Sequence, residues 1–157
     1  MELEAALPNQ LQLLVVCGDS AAAARRLARR ARTATMPVRI YGFIETMPQA
    51  MAASDLIVAK AGGMTLTEAL ARGIPLVLYH AIPGQERSNA QYVVARGAAV
   101  LAHGPTEVAR AVRDLLEDPN RLAAMRRAAA AVSRPDAADA IVSQVVRPLL
   151  QSGVRDS

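Results

Sequence analysis

The sequence predicts an α/β domain built on a doubly wound parallel sheet and closed by C-terminal helices. Three observations carry this. Short β-rich apolar runs alternate with helix-period segments from Leu11 to Ala102, and a strand, a glycine turn and a helix follow one another across Asp55–Leu70. Beyond residue 105 the alternation stops and three helical patterns follow, spaced by Pro119 and Pro135. Alternating strands and helices imply parallel pairing with right-handed crossovers, which places ligands beyond the C-terminal ends of the strands.

Each element has its own signal. Residues 1–10 form a lead-in, and Leu11–Val16 reads as the first strand, ending at Cys17-Gly18-Asp19-Ser20, where Asp19 or Ser20 can cap a helix over Ala21–Arg32. Val38–Phe43 is the second strand, entered after Pro37, and a short helix around Pro48–Ala53 leads to the third at Asp55–Ala59. The helix begun at Thr65 is stopped by Gly73 at its C′ position and by Pro75. Leu76–Tyr79, a helix over Gln85–Ala95 ending at Gly97, and Ala98–Ala102 complete the alternation. Helices over Thr106–Leu116, Asn120–Val132 and Asp136–Leu150 follow, the last with a broad stripe of Ile141, Val142, Val145, Val146, Leu149 and Leu150 that has to cover something. Residues 11–150 thus form one domain, with 151–157 as a tail.

Composition narrows the class. The chain is 52% hydrophobic and 20% charged, which is globular, but only 3% aromatic, so aliphatic residues must fill its core. A net charge of +4 invites nucleic acid as a partner. No stacking aromatics interleave with the basic residues and no zinc-ligand spacing occurs, so nucleic acid is not expected. Arg25 with Arg29 and Arg26 with Arg30 share faces of the first helix, and this ridge reads as a solvated outer surface. Cys17 is the only cysteine, reads as a buried strand residue, and fits a reducing compartment. The acidic N-terminus is unlike a signal peptide and no apolar run reaches about 20 residues. Cytoplasmic location is expected, with peripheral attachment at the cytoplasmic membrane face as an option.

The most distinctive stretch is Lys60-Ala61-Gly62-Gly63-Met64-Thr65-Leu66-Thr67-Glu68, followed one strand later by Pro83-Gly84-Gln85-Glu86. Lys60 is the only lysine in the chain. Glycines let backbone approach an anion, and the first-turn N–H groups of the next helix face it. A local alternative is a capping box between Thr65 and Glu68. Neither a G-x-G-x-x-G fingerprint nor a Walker lysine motif is present. His80 and His103 are loop residues with no partner legible in sequence.

Lys60–Leu70 with Gly73-Ile74-Pro75, then Pro83-Gly84-Gln85-Glu86 with Asn89, then Gly97-Ala98, resemble the donor-binding half of GT-B-fold glycosyltransferases, a Rossmann-like domain. The resemblance is to monogalactosyldiacylglycerol synthases and processive diacylglycerol glucosyltransferases and spans about Leu11 to Val146. It implies a site for UDP-galactose or UDP-glucose as donor substrate, with no cofactor and no metal. Phe43-Ile44 would hold the uracil edge through backbone; Gly62, Gly63 and Thr65 the phosphates; Glu68 both ribose hydroxyls. Gly84, Gln85 and Glu86 would meet the sugar, with Asn89 one turn on. No catalytic residue is assigned, because the resemblance places the base and the lipid acceptor in an N-terminal half.

Relatives open this half with a further strand and glycine-rich loop, and that strand lies mid-sheet. Here only residues 1–10 precede Leu11, without a glycine. The expectation is a fragment, a truncated start, or a sheet that closes up with the Leu11 strand beside the Asp55 strand. The expected function is the donor half of a hexosyltransferase acting on a diacylglycerol-type lipid, inactive without its acceptor domain. A non-catalytic interaction module, or a subunit of a split enzyme that pairs with an acceptor half or a second copy, is the alternative.

Overall fold

A computed structural model describes residues 11–151. The expected lead-in, and the expected tail beyond residue 151, lie outside the described residues. Five short strands, β1 (Leu13–Val16), β2 (Val38–Tyr41), β3 (Ile57–Ala59), β4 (Leu76–Tyr79) and β5 (Ala99–Ala102), alternate with helices α1 (Ala21–Ala31), α2 (Met47–Ala52), α3 (Gly63–Ala71) and α4 (Gln85–Ala95). Helices α5 (Pro105–Leu116) and α6 (Pro119–Val132) follow. A final helix runs as α7 (Ala137–Ile141), a π-helical segment (Val142–Val146) and α8 (Arg147–Gln151).

Every described strand pair is parallel, as the alternation predicts, but the strands form two sheets rather than one. β1 pairs with β2, with Leu13 opposite Val38, and β3-β4-β5 form the other, with Ile57 opposite Leu76 and Leu76 opposite Ala99. The closure of the Leu11 strand onto the Asp55 strand is therefore not what forms, since no ladder joins β1 to β3. Leu11 and Leu56, which precede β1 and β3, nonetheless pack against the same buried cluster.

β4 is the axis of the core. Its alternating residues point to opposite faces: Leu76 and Leu78 join Leu66, Ala69 and Leu70 of α3 and Ala90 and Val93 of α4, whereas Val77 joins Val112 and Leu115 of α5 and Met125 of α6. Helices thus cover both faces of this sheet, the doubly wound arrangement. Helix α6 supplies Met125 to one layer and Ala129 to the other. It is also tied to the approach to β3, where the Arg126 guanidinium meets the Asp55 carboxylate.

Glycines end two helices as their spacing predicts. Gly73 (φ 63°) and Gly97 (φ 73°) are left-handed. Gly73 N–H donates to Leu70 C=O (2.9 Å) and Ile74 N–H to Ala69 C=O (3.0 Å); Gly97 and Ala98 repeat the pattern onto Val94 and Val93. These paired 5→2 and 6→1 bonds satisfy carbonyls the helix cannot. At α1 it is Ser20 that caps, accepting from Ala23 N–H (3.3 Å), and the four ridge arginines are exposed. Cys17 is half-buried and lies just past β1, so the expected buried strand cysteine is not seen.

The last helix departs from expectation in two ways. It contains a π-helical segment, and its stripe from Ile141 to Leu150 is exposed, with Leu150 at 77%. Apolar residues spaced by four drift about 40° per repeat on a helix of 3.6 residues per turn. A π turn holds more residues and so winds the chain less per residue, which opposes that drift. No described helix is long and apolar enough to cross a membrane.

Candidate functional site

Two loops at the C-terminal ends of β3 and β4 carry most of the residues singled out by sequence. The first turns from β3 into α3, whose N-cap is Gly62 in extended conformation (φ −67°, ψ 137°), two residues or more before the expected start at Thr65. This register leaves Thr65 inside the first turn and removes the capping-box alternative: no side chain caps α3. The first backbone bond of the helix is Leu66 N–H to Gly62 C=O (3.0 Å), so the N–H groups of Gly63, Met64 and Thr65 have no helical acceptor.

The glycine pair is not demanded by the fold. Neither glycine has a positive φ, and a Cβ built on Gly62 or Gly63 would meet no atom within 4 Å. The two Cβ positions therefore lie in open space. The two threonines differ: Thr67 spends its hydroxyl on the carbonyls of Gly63 (2.9 Å) and Met64 (3.0 Å), while Thr65 and the half-buried Glu68 make no side-chain hydrogen bond within the described chain. Met64 stands 79% exposed on the same rim.

The second loop runs from β4 to α4. It begins at His80, the one non-glycine with positive φ (51°) among the described residues, and reaches Gly84 at φ 101°, ψ −134°. Gly84 occupies the mirror image of the β region, which is open only to glycine. Gln85 and Glu86 form the first turn of α4, with Gln85 exposed. Glu86 is held twice: Oε2 accepts from Ile82 N–H (3.1 Å) and Oε1 lies 3.6 Å from Lys60 Nζ. Asn89 donates from Nδ2 to Ala61 C=O (3.1 Å). Lys60–Glu86 and Ala61–Asn89 thus join the first loop to the second, side by side.

Sequence reasoning missed Lys60 as a partner of this site. The available signal was its being the only lysine, at the mouth of the glycine turn. Phe43 and Ile44 lie in the turn that leaves β2, at the end of the other sheet, with Phe43 70% exposed and Ile44 half-buried. No hydrogen bond or ion pair joins them to either loop among the described residues. His103 is exposed at the end of β5, and its N–H donates to Glu107 Oε2 (2.9 Å). Among the described residues no group of three or more His, Cys, Asp or Glu could hold a metal ion.

The fold, with its two-loop rim at the C-terminal ends of the strands, is that of a Rossmann-like domain. Residues 2–141 match the glycosyltransferase family 28 C-terminal domain, and the chain belongs to that family. A processive diacylglycerol beta-glucosyltransferase from Bacillus thuringiensis (strain Al Hakam) is 35% identical over 136 residues, covering 87% of this chain and 35% of the relative. The chain thus spans about a third of the length of such relatives. Among solved structures, MurG of Acinetobacter baumannii superposes with a TM-score of 0.73 at 22% identity, over 93% of this chain and 44% of that one. Anabaena Alr3699/HepE in complex with UDP and glucose gives 0.65 at 23%, over 97% and 44%. These structures share the fold, as the doubly wound expectation requires.

Proposed function

We propose that the chain binds a UDP-hexose, glucose or galactose, and serves as the donor half of a glycosyltransferase whose acceptor is a diacylglycerol-type lipid. The observation that carries this is the open face of α3. Three N–H groups without helical acceptors, two glycines the fold does not require, a free Thr65 hydroxyl and a free Glu68 carboxylate all lie within the first two turns. A diphosphate answers the N–H groups, and a ribose diol answers a carboxylate that can accept from two hydroxyls at once. Similar proteins support the reading from outside: one is a processive diacylglycerol beta-glucosyltransferase, and another was solved in complex with UDP and glucose.

In transfer, the loops would hold the departing UDP while a base in the acceptor half activates the lipid hydroxyl. Preorganised donors aimed at developing negative charge are the part of the chemistry these loops can supply. The chain by itself then binds donor and transfers little sugar, and works from the cytoplasmic side of a membrane. Calorimetric titration with UDP-glucose and UDP-galactose tests the reading; folded protein that binds neither, nor UDP, refutes it.

A second reading is favoured by the helix from Ala137 to Gln151, whose apolar stripe is exposed. It would make the chain an interaction module or a subunit of a split glycosyltransferase. A monodisperse homodimer without nucleotide affinity supports the module; nucleotide affinity in a monomer supports the donor half.

A further inference from the structure

We infer that Lys60 is a positioning residue for Glu86, and that through this carboxylate it takes part in reading the hydroxyls of the donor hexose. The inference rests on the donor-site reading above and deepens it. Lys60 follows directly on β3, and Glu86 lies in the first turn of α4, so their contact bridges two elements 26 positions apart. It does not stand alone. The adjacent Ala61 carbonyl accepts from Asn89 Nδ2, which lies one helical turn beyond Glu86. Two neighbouring residues of the first loop thus grip two residues on one face of α4.

The geometry fixes an orientation as well as a position. The terminal torsion of a glutamate is broad and roughly two-fold, so a carboxylate held through one oxygen can still turn. Glu86 is held through both: Oε2 by Ile82 N–H at 3.1 Å and Oε1 by Lys60 Nζ at 3.6 Å. A carboxylate offers about four acceptor sites, so two anchors leave capacity for ligand hydroxyls. The side chains are 23% exposed at Glu86 and 48% at Lys60, enough for a ligand to reach the pair from solvent. Glucose and galactose differ in the direction of one hydroxyl. A carboxylate locked in plane can tell those directions apart, whereas a turning one adapts to both. The Ile82 N–H anchors one oxygen of the carboxylate, and the Lys60 charge draws the other toward itself and so biases which way the group faces.

The test is a double-mutant cycle on the full chain with Lys60→Met, Lys60→Arg, Glu86→Gln and the Lys60→Met/Glu86→Gln pair. Affinities for UDP, UDP-glucose and UDP-galactose are measured by calorimetry, and the quantity read is the sugar-dependent ratio of each nucleotide sugar to UDP. Lys60→Met is expected to lower the ratio for the preferred sugar at least fivefold, Lys60→Arg to restore most of it, and Lys60→Met to change it less than twofold when Glu86 is already Gln. A second arm needs no donor. Because Lys60 is the only lysine, isotope-labelled lysine gives one side-chain NMR signal, and Glu86→Gln is expected to shift it. If UDP binds but Lys60→Met lowers the ratio equally with and without Glu86, Lys60 acts directly on the ligand and the inference is overturned. An unmoved lysine signal overturns the ion pair itself. If the native chain binds no UDP while that signal does shift, the donor reading fails, and the sugar-reading role fails with it.

Discussion

Glu68→Ala separates ligand binding from folding more cleanly than any other change at this site. Its half-buried carboxylate has no hydrogen-bond partner within the described chain, and its α3 position is a helix interior where alanine is the best helix former. Removing it should leave stability within about 0.5 kcal/mol, as for a surface change away from any network. If the carboxylate takes both ribose hydroxyls, binding loses one or two hydrogen bonds to a charged group. At about 1.5–3 kcal/mol each and with incomplete additivity, the loss is about 2–4 kcal/mol. That is roughly a 30- to 900-fold weaker UDP complex. Urea unfolding and calorimetry with UDP on the same preparations give both numbers. A stability loss above about 1 kcal/mol would show Glu68 to be structural, and an unchanged Kd would remove it from the ribose site.

Two further changes probe the scaffold. Leu78→Ala in β4, where the side chain is fully buried against α3 and α4, should cost about 2–5 kcal/mol in urea unfolding, because the closely packed layers relax only partly into the void. Gly84→Ala should cost about 1–3 kcal/mol through backbone strain alone, since its Cβ would meet no atom within 4 Å while φ stays at 101°. A loss below about 0.5 kcal/mol would mean that the loop does not hold this conformation in solution.

What sequence made legible was local. Strand β4 and helix α4 have the bounds expected of them, and Gly73 and Gly97 end their helices as C′ glycines, because apolar spacing and left-handed glycines act within a few residues. The start of α3 was not legible. Gly62 needs no positive φ to cap, and the threonine expected there is drawn into the first turn. Nor could spacing show that Asn89 reaches the Ala61 carbonyl, or that Lys60 meets Glu86, since both depend on how β3 and α4 are placed in space. The division into two sheets is a matter of pairing partners, which no pattern within one strand encodes. The strand periodicity is the same whether β1 has one neighbour or two.

That division has a consequence for the site. Of the described buried hydrophobics, Met36 alone comes from residues 11–50; the rest belong to the part built on β3-β4-β5. Leu76, Val77 and Leu78 are fully buried, whereas Leu14 in β1 is 37% exposed and α1 buries no residue. Each fully buried Leu or Val contributes about 1.5–3 kcal/mol that a half-exposed one does not fully supply. The β1–β2 pair should therefore open locally at lower free energy. Backbone amides of Leu13–Val16 are expected to exchange at least tenfold faster than those of Val77–Tyr79. The loops proposed to hold phosphate and sugar stand on the well-buried part, while Phe43-Ile44 stands on the other, so a nucleotide gripping both would link them. UDP that contacts Phe43-Ile44 must slow exchange in β1 and β2, because a ligand bound only to the closed state stabilises it. Protection gained in β3–β5 alone would locate the phosphates correctly and take the uracil away from Phe43-Ile44.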